Sequence, residues 1–425
     1  MNDNIIEILN KYEAAGMRSQ PDIVWASADD CIITDINNKK YIDFSSGVMI
    51  TNSGHSNQKI KDAIAKQLSS GIFTTYMFPS LAKANFLESL SKFIPKHYKV
   101  ALYSTGTEVT EAAIKIVQLW SKKNKPTGKK LIISYVNSFH GRTLGAQLVG
   151  GVAALADWIP EELAHKFIYH VPFPDGMYSE KNHFSDFIEA LTINDIKSDD
   201  VSAVIIECYQ GGVGVFVPRN YMSNLVQWCK DNNIILIVDE IQSGCGRTGK
   251  FWAYEHYGIT PDVILAGKGI SSSLPLSALI ARKDIIDLCG VGVLNTTHSG
   301  NAVCCAAAAA NLDFIESNNL VENAFNMEKV LLRELNKISY TFTNKVRAIY
   351  VKGLIACIHI GDRQTGKSNN ILAKKIVNLC IENGLMLYYP GGPDGATIKI
   401  APPLTINEEL LINGCNIMMK CVELA

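Results

Sequence analysis

Two residues in this chain stand where an ordinary core strand would not end. Asp239 follows the apolar run 234–238, and Lys268 follows the run 263–266 and a single glycine. Runs this short and this rich in β-branched residues read as buried strands of a parallel sheet. Ligands of open α/β sheets bind just beyond the carboxyl ends of such strands. A carboxylate and an amine at two such ends suit either a buried ion pair or a small molecule that needs both groups.

Pyridoxal 5'-phosphate is a molecule with that pair of needs. Its aldehyde takes a lysine amine, and its ring nitrogen needs a carboxylate to stay protonated while the ring draws electrons. It also needs a phosphate cup. The segment Tyr103-Ser104-Thr105-Gly106-Thr107-Glu108 supplies a candidate, because it opens an amphipathic helix whose apolar positions run from Val109 to Trp120 at helical spacing. Thr105 and Glu108 fit a capping box, and the Gly106-Thr107 pair presents backbone N–H groups and a hydroxyl toward an anion. Three further loops carry polar or aromatic residues after apolar runs. Phe139 and Arg142 lie in Asn137-Ser138-Phe139-His140-Gly141-Arg142-Thr143, where an aromatic could stack on a flat ring and an arginine could grip a carboxylate. Glu207 ends the run 201–206, and Thr296 and Thr297 lie in a polar loop before an alanine-rich helix, as phosphate ligands or caps. Residues 244–250 match the G-x-x-x-x-G-K spacing of a nucleotide phosphate loop, but Phe251 follows where a magnesium-binding Ser or Thr belongs. A glycine-rich surface turn is expected there instead.

The elements that must hold these residues follow from the pattern. Strands are expected at 131–135, 201–206, 234–238, 263–266 and 276–281, with helices at 221–232 and 302–315 between and after them. Strands alternating with helices over this length make a mainly parallel α/β sheet. Before it, 31–44 has the form of a hairpin turning at Asn37-Asn38, and His55 reads as a structural histidine. After residue 320 the pattern changes to helix, short strands at 348–360, a helix near 370–383, an extended run 398–404 holding Lys399, and a last helix capped by Thr405-x-x-Glu408. The expected organisation is a segment 1–55 that joins a small domain, a large domain 56–315, and the rest of the small α+β domain at 316–425.

Bulk properties exclude several classes. The chain has 425 residues, 47% hydrophobic and 19% charged, with net charge −1, which leaves no electrostatic footprint for nucleic acid or a membrane surface. No window offers eighteen uninterrupted apolar residues, and the N-terminus has no basic and apolar leader. Eleven cysteines show no metal-binding spacing and suit free thiols in a reducing cytoplasm. No metal is expected.

Taken together, the run VDEIQSGCGRTGKFWAYEHYGITPDVILAGK and the segments around it resemble the class III aminotransferases, the family of 4-aminobutyrate, ornithine and acetylornithine aminotransferases. The resemblance extends from Asp43-Phe44 to Pro403. It implies a fold type I pyridoxal-phosphate transferase, with a seven-stranded, mainly parallel sheet in the large domain. It implies that Lys268 is the Schiff-base lysine and proton shuttle, that Asp239 pairs with the ring nitrogen, and that Gln242 sits near the ring hydroxyl. Gly106 and Thr107 would bind phosphate, Phe139 would stack on the ring, and Glu207 matches a family acid beside it. Thr297 would reach the phosphate of a second subunit in a homodimer with shared sites. Arg142 matches the arginine that holds a distal substrate carboxylate in 4-aminobutyrate aminotransferases. The implied activity is ping-pong transfer of an amino group from an amine or ω-amino acid to a 2-oxo acid.

The chain departs from the family at three places. Glu207 is followed by Cys208 rather than proline; Gly212 stands where many members carry a glutamate; and Lys399 stands where the partner arginine of that glutamate belongs. Arginine offers a planar fork and lysine a point charge, so the grip on glutamate or 2-oxoglutarate is expected to change, with pyruvate one candidate acceptor. Two other activities fit the scaffold: an amino-acid racemase or epimerase, and a decarboxylating transaminase. Relatives of the last kind tend to carry glutamine where this chain has Val48. A catalytically inactive, cofactor-binding regulator is a third alternative, and the presence of both Lys268 and Asp239 counts against it.

Overall fold

A computed structural model of the chain describes residues 2–17, 20–125, 127 and 130–425. They fall into two compact units: 59–318, and a second assembled from 1–58 and 319–425.

The larger unit is built on seven strands: β1 (Tyr98–Tyr103), β2 (Leu131–Tyr135), β3 (Ile168–Val171), β4 (Val201–Glu207), β5 (Ile235–Asp239), β6 (Val263–Ala266) and β7 (Ser277–Arg282). Their order across the sheet is β1-β7-β6-β5-β4-β2-β3. The pairs from β6 through β3 are parallel, and β7 runs antiparallel between β6 and β1. Every residue of β2, β4, β5 and β6 is buried. That explains why they read as unbroken apolar runs and not as alternating ones, since helices cover both faces of such a sheet. Helix α1 (Gly106–Asn124) lays Val109, Ala112, Ala113, Ile116, Val117 and Trp120 onto the core with Ile205, Ile237 and Leu265. It begins with the expected capping box: Thr105 accepts from the Glu108 N–H, and the Glu108 side chain accepts from the Thr105 N–H.

Register fixes the important geometry. Asp239 of β5 is paired with Glu207 of β4. Neighbours in register on parallel strands face the same side, so both carboxylates point to one face at the strands' carboxyl ends. Glu240, one residue on, turns the other way. Its Oε2 accepts from Ser243 Oγ at 2.7 Å and from the Ala253 N–H at 3.0 Å, and its Oε1 accepts from the Tyr254 N–H at 2.8 Å.

The glycine-rich stretch 244–250 differs from the expected surface turn. Residues 243–249 are buried, and the Arg247 side chain is fully enclosed. The aromatics that follow account for this. Gly244 packs so close to Trp252 that a Cβ there would lie 2.8 Å from the indole, and Phe251 stacks on Phe93 at 3.9 Å. Glycines were legible as a turn, but the covering rings were not.

In the smaller unit, strands Ile32–Asp35 and Lys40–Asp43 form the expected hairpin, and Asn38 takes the left-handed conformation its turn needs, φ 63°. A three-stranded sheet combines Val346–Lys352, Ile355–Ile360 and Thr397–Ile400. His55 is structural, with Nε2 2.7 Å from Asp43 Oδ2. The last helix, Glu408–Leu424, is not capped by Thr405. Asn407 caps it by accepting from the Leu410 N–H at 2.8 Å, while Thr405 turns its hydroxyl to Asp30. An asparagine immediately before the helix is as good an acceptor, and the nearby Asp30 claims the threonine.

Candidate active site

Beyond the carboxyl ends of β4, β5 and β6, within the larger unit, lies a cleft of about 160 Å³. Gly106, Thr107, Phe139, Glu207, Asp239, Gln242 and Lys268 line it, all seven expected from the sequence, together with His140, Gly141 and Ile241, which were not.

The floor is a buried network. Asp239 Oδ2 lies 2.7 Å from His140 Nδ1, and Asp239 Oδ1 accepts from the Ile241 N–H at 2.9 Å. Burial works against a charge on His140, but the hydrogen bond and the charges of Asp239 and Glu207 outweigh it and raise the ring's pKa. Burial likewise pushes the Glu207 carboxyl up, against the opposing pull of His140. Glu207 also clamps two loops: Oε1 accepts from the Phe139 N–H at 2.9 Å and Oε2 from the Gly211 N–H at 2.7 Å. It thereby sets the Phe139 ring on one wall and presses the Gly211 backbone against the Gln242 amide, where a Cβ would lie 2.5 Å from Nε2.

Lys268 follows β6 and holds a left-handed backbone, φ 44°. A lysine gains nothing locally from that conformation, at a cost of about 1–2 kcal/mol, and such strain clusters at functional positions. Ile241 wedges between Gly106 and Gly267. A Cβ on Gly106 would come within 2.9 Å of Ile241 Cδ1, so glycine is what lets the start of α1 approach β5.

At the rim, Thr107 differs from expectation. Its hydroxyl does not stand free for an anion. It lies 2.7 Å from Thr143 Oγ1 and accepts from the Arg142 and Thr143 N–H groups, both at 3.2 Å. The α1 N-terminus still offers peptide N–H groups. Arg142 is exposed on the same rim. Thr297 sits on an exposed turn of this unit and does not line the cleft, and Asn301, not a threonine, caps the helix Ala302–Ser317. Two expected substrate residues lie in the smaller unit. Lys399 is partly buried on the strand Thr397–Ile400. Val48 is half exposed in a run of four left-handed residues, Ser46 to Met49, with φ 68° at a β-branched position.

The cleft fits pyridoxal phosphate. His140 Nε2 and Gln242 Oε1 are buried with no hydrogen-bond partner among the described residues, and both residues line the cleft. Buried polar atoms left in that state are normally satisfied by something. The donor set also matches: an amine for an aldehyde, a carboxylate held by an imidazole for a ring nitrogen, an amide for a ring hydroxyl, an aromatic wall, and a helix N-terminus for phosphate. Sequence reasoning missed His140 and Ile241. His140 carried a signal, a polar ring between Phe139 and Gly141; Ile241 carried none, since an isoleucine after a strand reads as core.

The chain is similar to known proteins along nearly its whole length. Residues 14–422 match the family model described as aminotransferase class-III. Among curated proteins, the chain is 30% identical over 404 residues to the 4-aminobutyrate aminotransferase of Mycobacterium leprae, covering 92% of this chain and 88% of that protein. It is also 30% identical over 434 residues to the leucine/methionine racemase of Thermococcus litoralis, covering 98% and 95%. Among solved structures, a Bacillus anthracis aminotransferase superposes with a TM-score of 0.90 at 28% identity, covering 100% and 98% of the two chains.

Proposed function

Because the chain belongs to the class III aminotransferases, enzymes that use pyridoxal phosphate to move an amino group from a donor to a 2-oxo acid, we propose that its donor is an amine or ω-amino acid of the 4-aminobutyrate kind. The observation that carries the proposal is Arg142, exposed at the cleft rim beside the lining residues Gly141 and Thr107. The likeness to the Mycobacterium leprae enzyme supports it.

The cofactor, when bound, supplies an electrophilic carbon for amines and a ring that draws electrons from the donor carbon. Each protein group then has a defined task. Lys268 would supply the amine that holds that electrophilic carbon, and the same amine would move a proton at the donor's amine-bearing carbon. Asp239 would face the ring nitrogen, and His140, 2.7 Å away, would keep its carboxylate aimed there. Phe139 would stand against one ring face, and Gln242 would meet the ring hydroxyl. The peptide N–H groups of Gly106 and Thr107 would hold phosphate. Glu207 fixes both Phe139 and the 211 turn. Arg142 holds a carboxylate at the far end of the donor.

The acceptor is proposed to differ from 2-oxoglutarate. Position 212 has no room for the family glutamate: a Cβ on Gly212 would stand 1.8 Å from the Asn137 carbonyl oxygen. Inserting a glutamate would displace the turn that carries Phe139, so Gly212→Glu with Lys399→Arg tests folding before it tests specificity. Lys399 and Val48 are assigned to substrate on the family resemblance alone. The enzyme is proposed to act in the cytoplasm as a homodimer in which Thr297 reaches the other subunit's phosphate. All eleven cysteines are free thiols. Ile72, Phe73, Tyr76, Met77, Phe78 and Leu81 are exposed in one segment, an apolar surface of the kind a second copy covers. No helix among the described residues is long and apolar enough to cross a membrane.

The visible spectrum of the holoenzyme tests the proposal, with amines and amino acids added singly and no acceptor. A yellow protein bleached by 4-aminobutyrate supports it. Bleaching only by donors that lack a distal carboxylate breaks it. The likeness to a leucine/methionine racemase keeps a second reading in play. A protein that exchanges α-protons of leucine or methionine without bleaching would establish racemisation instead.

A further inference from the structure

The polar face of α1 does more than open a phosphate site. Thr107, Thr110 and Glu111 are spaced at i, i+3 and i+4 and therefore share one side of the helix. All three reach across to the segment 140–146. Thr110 Oγ1 donates to the His140 carbonyl at 2.8 Å. Thr107 Oγ1 accepts from the Arg142 and Thr143 N–H groups. Glu111 Oε1 accepts from Thr143 Oγ1 at 2.5 Å, from the Gly145 N–H at 2.8 Å and from the Ala146 N–H at 3.2 Å.

The hydroxyl protons can be ordered. Thr143 has one proton and gives it to Glu111. The 2.7 Å contact between Thr107 and Thr143 then requires Thr107 to donate. The chain runs Thr107 to Thr143 to Glu111, and Glu111 is its terminal acceptor. Two glycines make space for it. A Cβ on Gly145 would lie 2.2 Å from Glu111 Oε2, and one on Gly141, at φ +139°, would lie 2.4 Å from Thr107 Oγ1. Arg142 lies between these glycines, and its N–H is held by Thr107 Oγ1 at 3.2 Å.

We infer that Glu111 is a positioning residue for substrate recognition: through Thr143 and Thr107 it fixes the backbone of Arg142, and so where the guanidinium meets the donor's distal carboxylate. This rests on the reading of Arg142 as the carboxylate contact. It separates two functions on one helix: peptide N–H groups at the tip for phosphate, side chains on the flank for substrate.

The test uses holoenzyme of wild type, Glu111→Ala, Glu111→Gln and Arg142→Ala. Apparent dissociation constants are read from the visible absorbance change on adding 4-aminobutyrate or n-butylamine, which differ by the carboxylate. Cofactor retention on dialysis and amide hydrogen exchange across 142–146 are measured beside them. Glu111→Ala should weaken 4-aminobutyrate about tenfold, the scale of a displaced positioning group, and leave n-butylamine and cofactor retention unchanged. Exchange at Gly145 and Ala146 should quicken. Glu111→Gln keeps an acceptor oxygen and should recover most of the affinity. Unaltered 4-aminobutyrate affinity in Glu111→Ala, beside a weakened one in Arg142→Ala, would overturn the positioning role. So would an equal loss for both ligands or loss of cofactor. No carboxylate preference in wild type, or no effect of Arg142→Ala, would instead sink the carboxylate reading itself.

Discussion

Asp239 and Glu240 are adjacent, both acidic and both buried, yet they serve opposite faces of the same sheet. Asp239 looks into the cleft and faces a histidine whose pKa is raised by the pairing. Glu240 looks into the packed layer behind and, among the described residues, accepts from a serine hydroxyl and two peptide N–H groups. Burial drives the Glu240 carboxyl up to about 7, and those three donors offset only part of it. What separates them is the partner and not the depth. On the cleft side the pairing raises the pKa of the histidine, while behind the sheet Glu240, held by neutral donors, is itself the group that burial pushes up.

The cleft side should show the larger effects. Lys268→Ala should lower turnover on the order of 10³-fold or more, since Lys268 is proposed as both the anchoring amine and the proton carrier. Borohydride should then no longer fix cofactor to the chain, while far-ultraviolet circular dichroism stays unchanged. Retained turnover would mean that another group carries the proton. Asp239→Asn comes next. It should cost on the order of 10²- to 10³-fold in turnover, the scale of losing one preorganised charged group. It also removes the hydrogen bond and the charge that oppose burial at His140, so the imidazole's pKa should fall. Nitrogen NMR of labelled histidine reads that directly, and an unchanged pKa in the variant would assign the raised value to Glu207 instead.

The two faces were not equally legible. The cleft side could be read because its residues interrupt a pattern: Asp239, Glu207 and Lys268 are charges at the ends of apolar runs, and Gly106-Thr107 opens a periodic helix. Strand ends are fixed by local sequence, and parallel register then aligns Asp239 with Glu207. Glu240 was invisible because its role depends on the turn 253–257 folding back behind β5, a contact that no local pattern announces. The same lack hid the burial of 244–249, which aromatic packing decides, and the capture of Thr405 by Asp30 from the far end of the chain. It also hid the engagement of the Thr107 hydroxyl, which follows from where the 142–146 loop lies. Sequence marks a chemical group at an element's end; which of several partners takes it is settled by tertiary approach.

Glu240 provides the smallest and most specific break. Its carboxyl has an ordinary value near 4.5 and a folded value of about 7. Between those two values the folded protein keeps a proton that the unfolded chain has released. The resulting stabilisation is complete below pH 4.5 and is lost as pH rises through 7, where the folded state must hold a buried anion. A shift of this size corresponds to no more than about 3 kcal/mol. Glu240→Gln cannot titrate, so its stability should change less than that of wild type between pH 5 and 8. Urea midpoints for both proteins across that range supply the measurement. Turnover at saturating substrate should stay within about threefold, because the residue does not touch the cleft and its surroundings keep most of their packing. Parallel midpoint curves would mean that Glu240 is ionised throughout and that a cation reaches the back face. A large loss of turnover with flat stability would mean that the 253–257 turn, not the β5 strand end alone, sets the aim of Asp239.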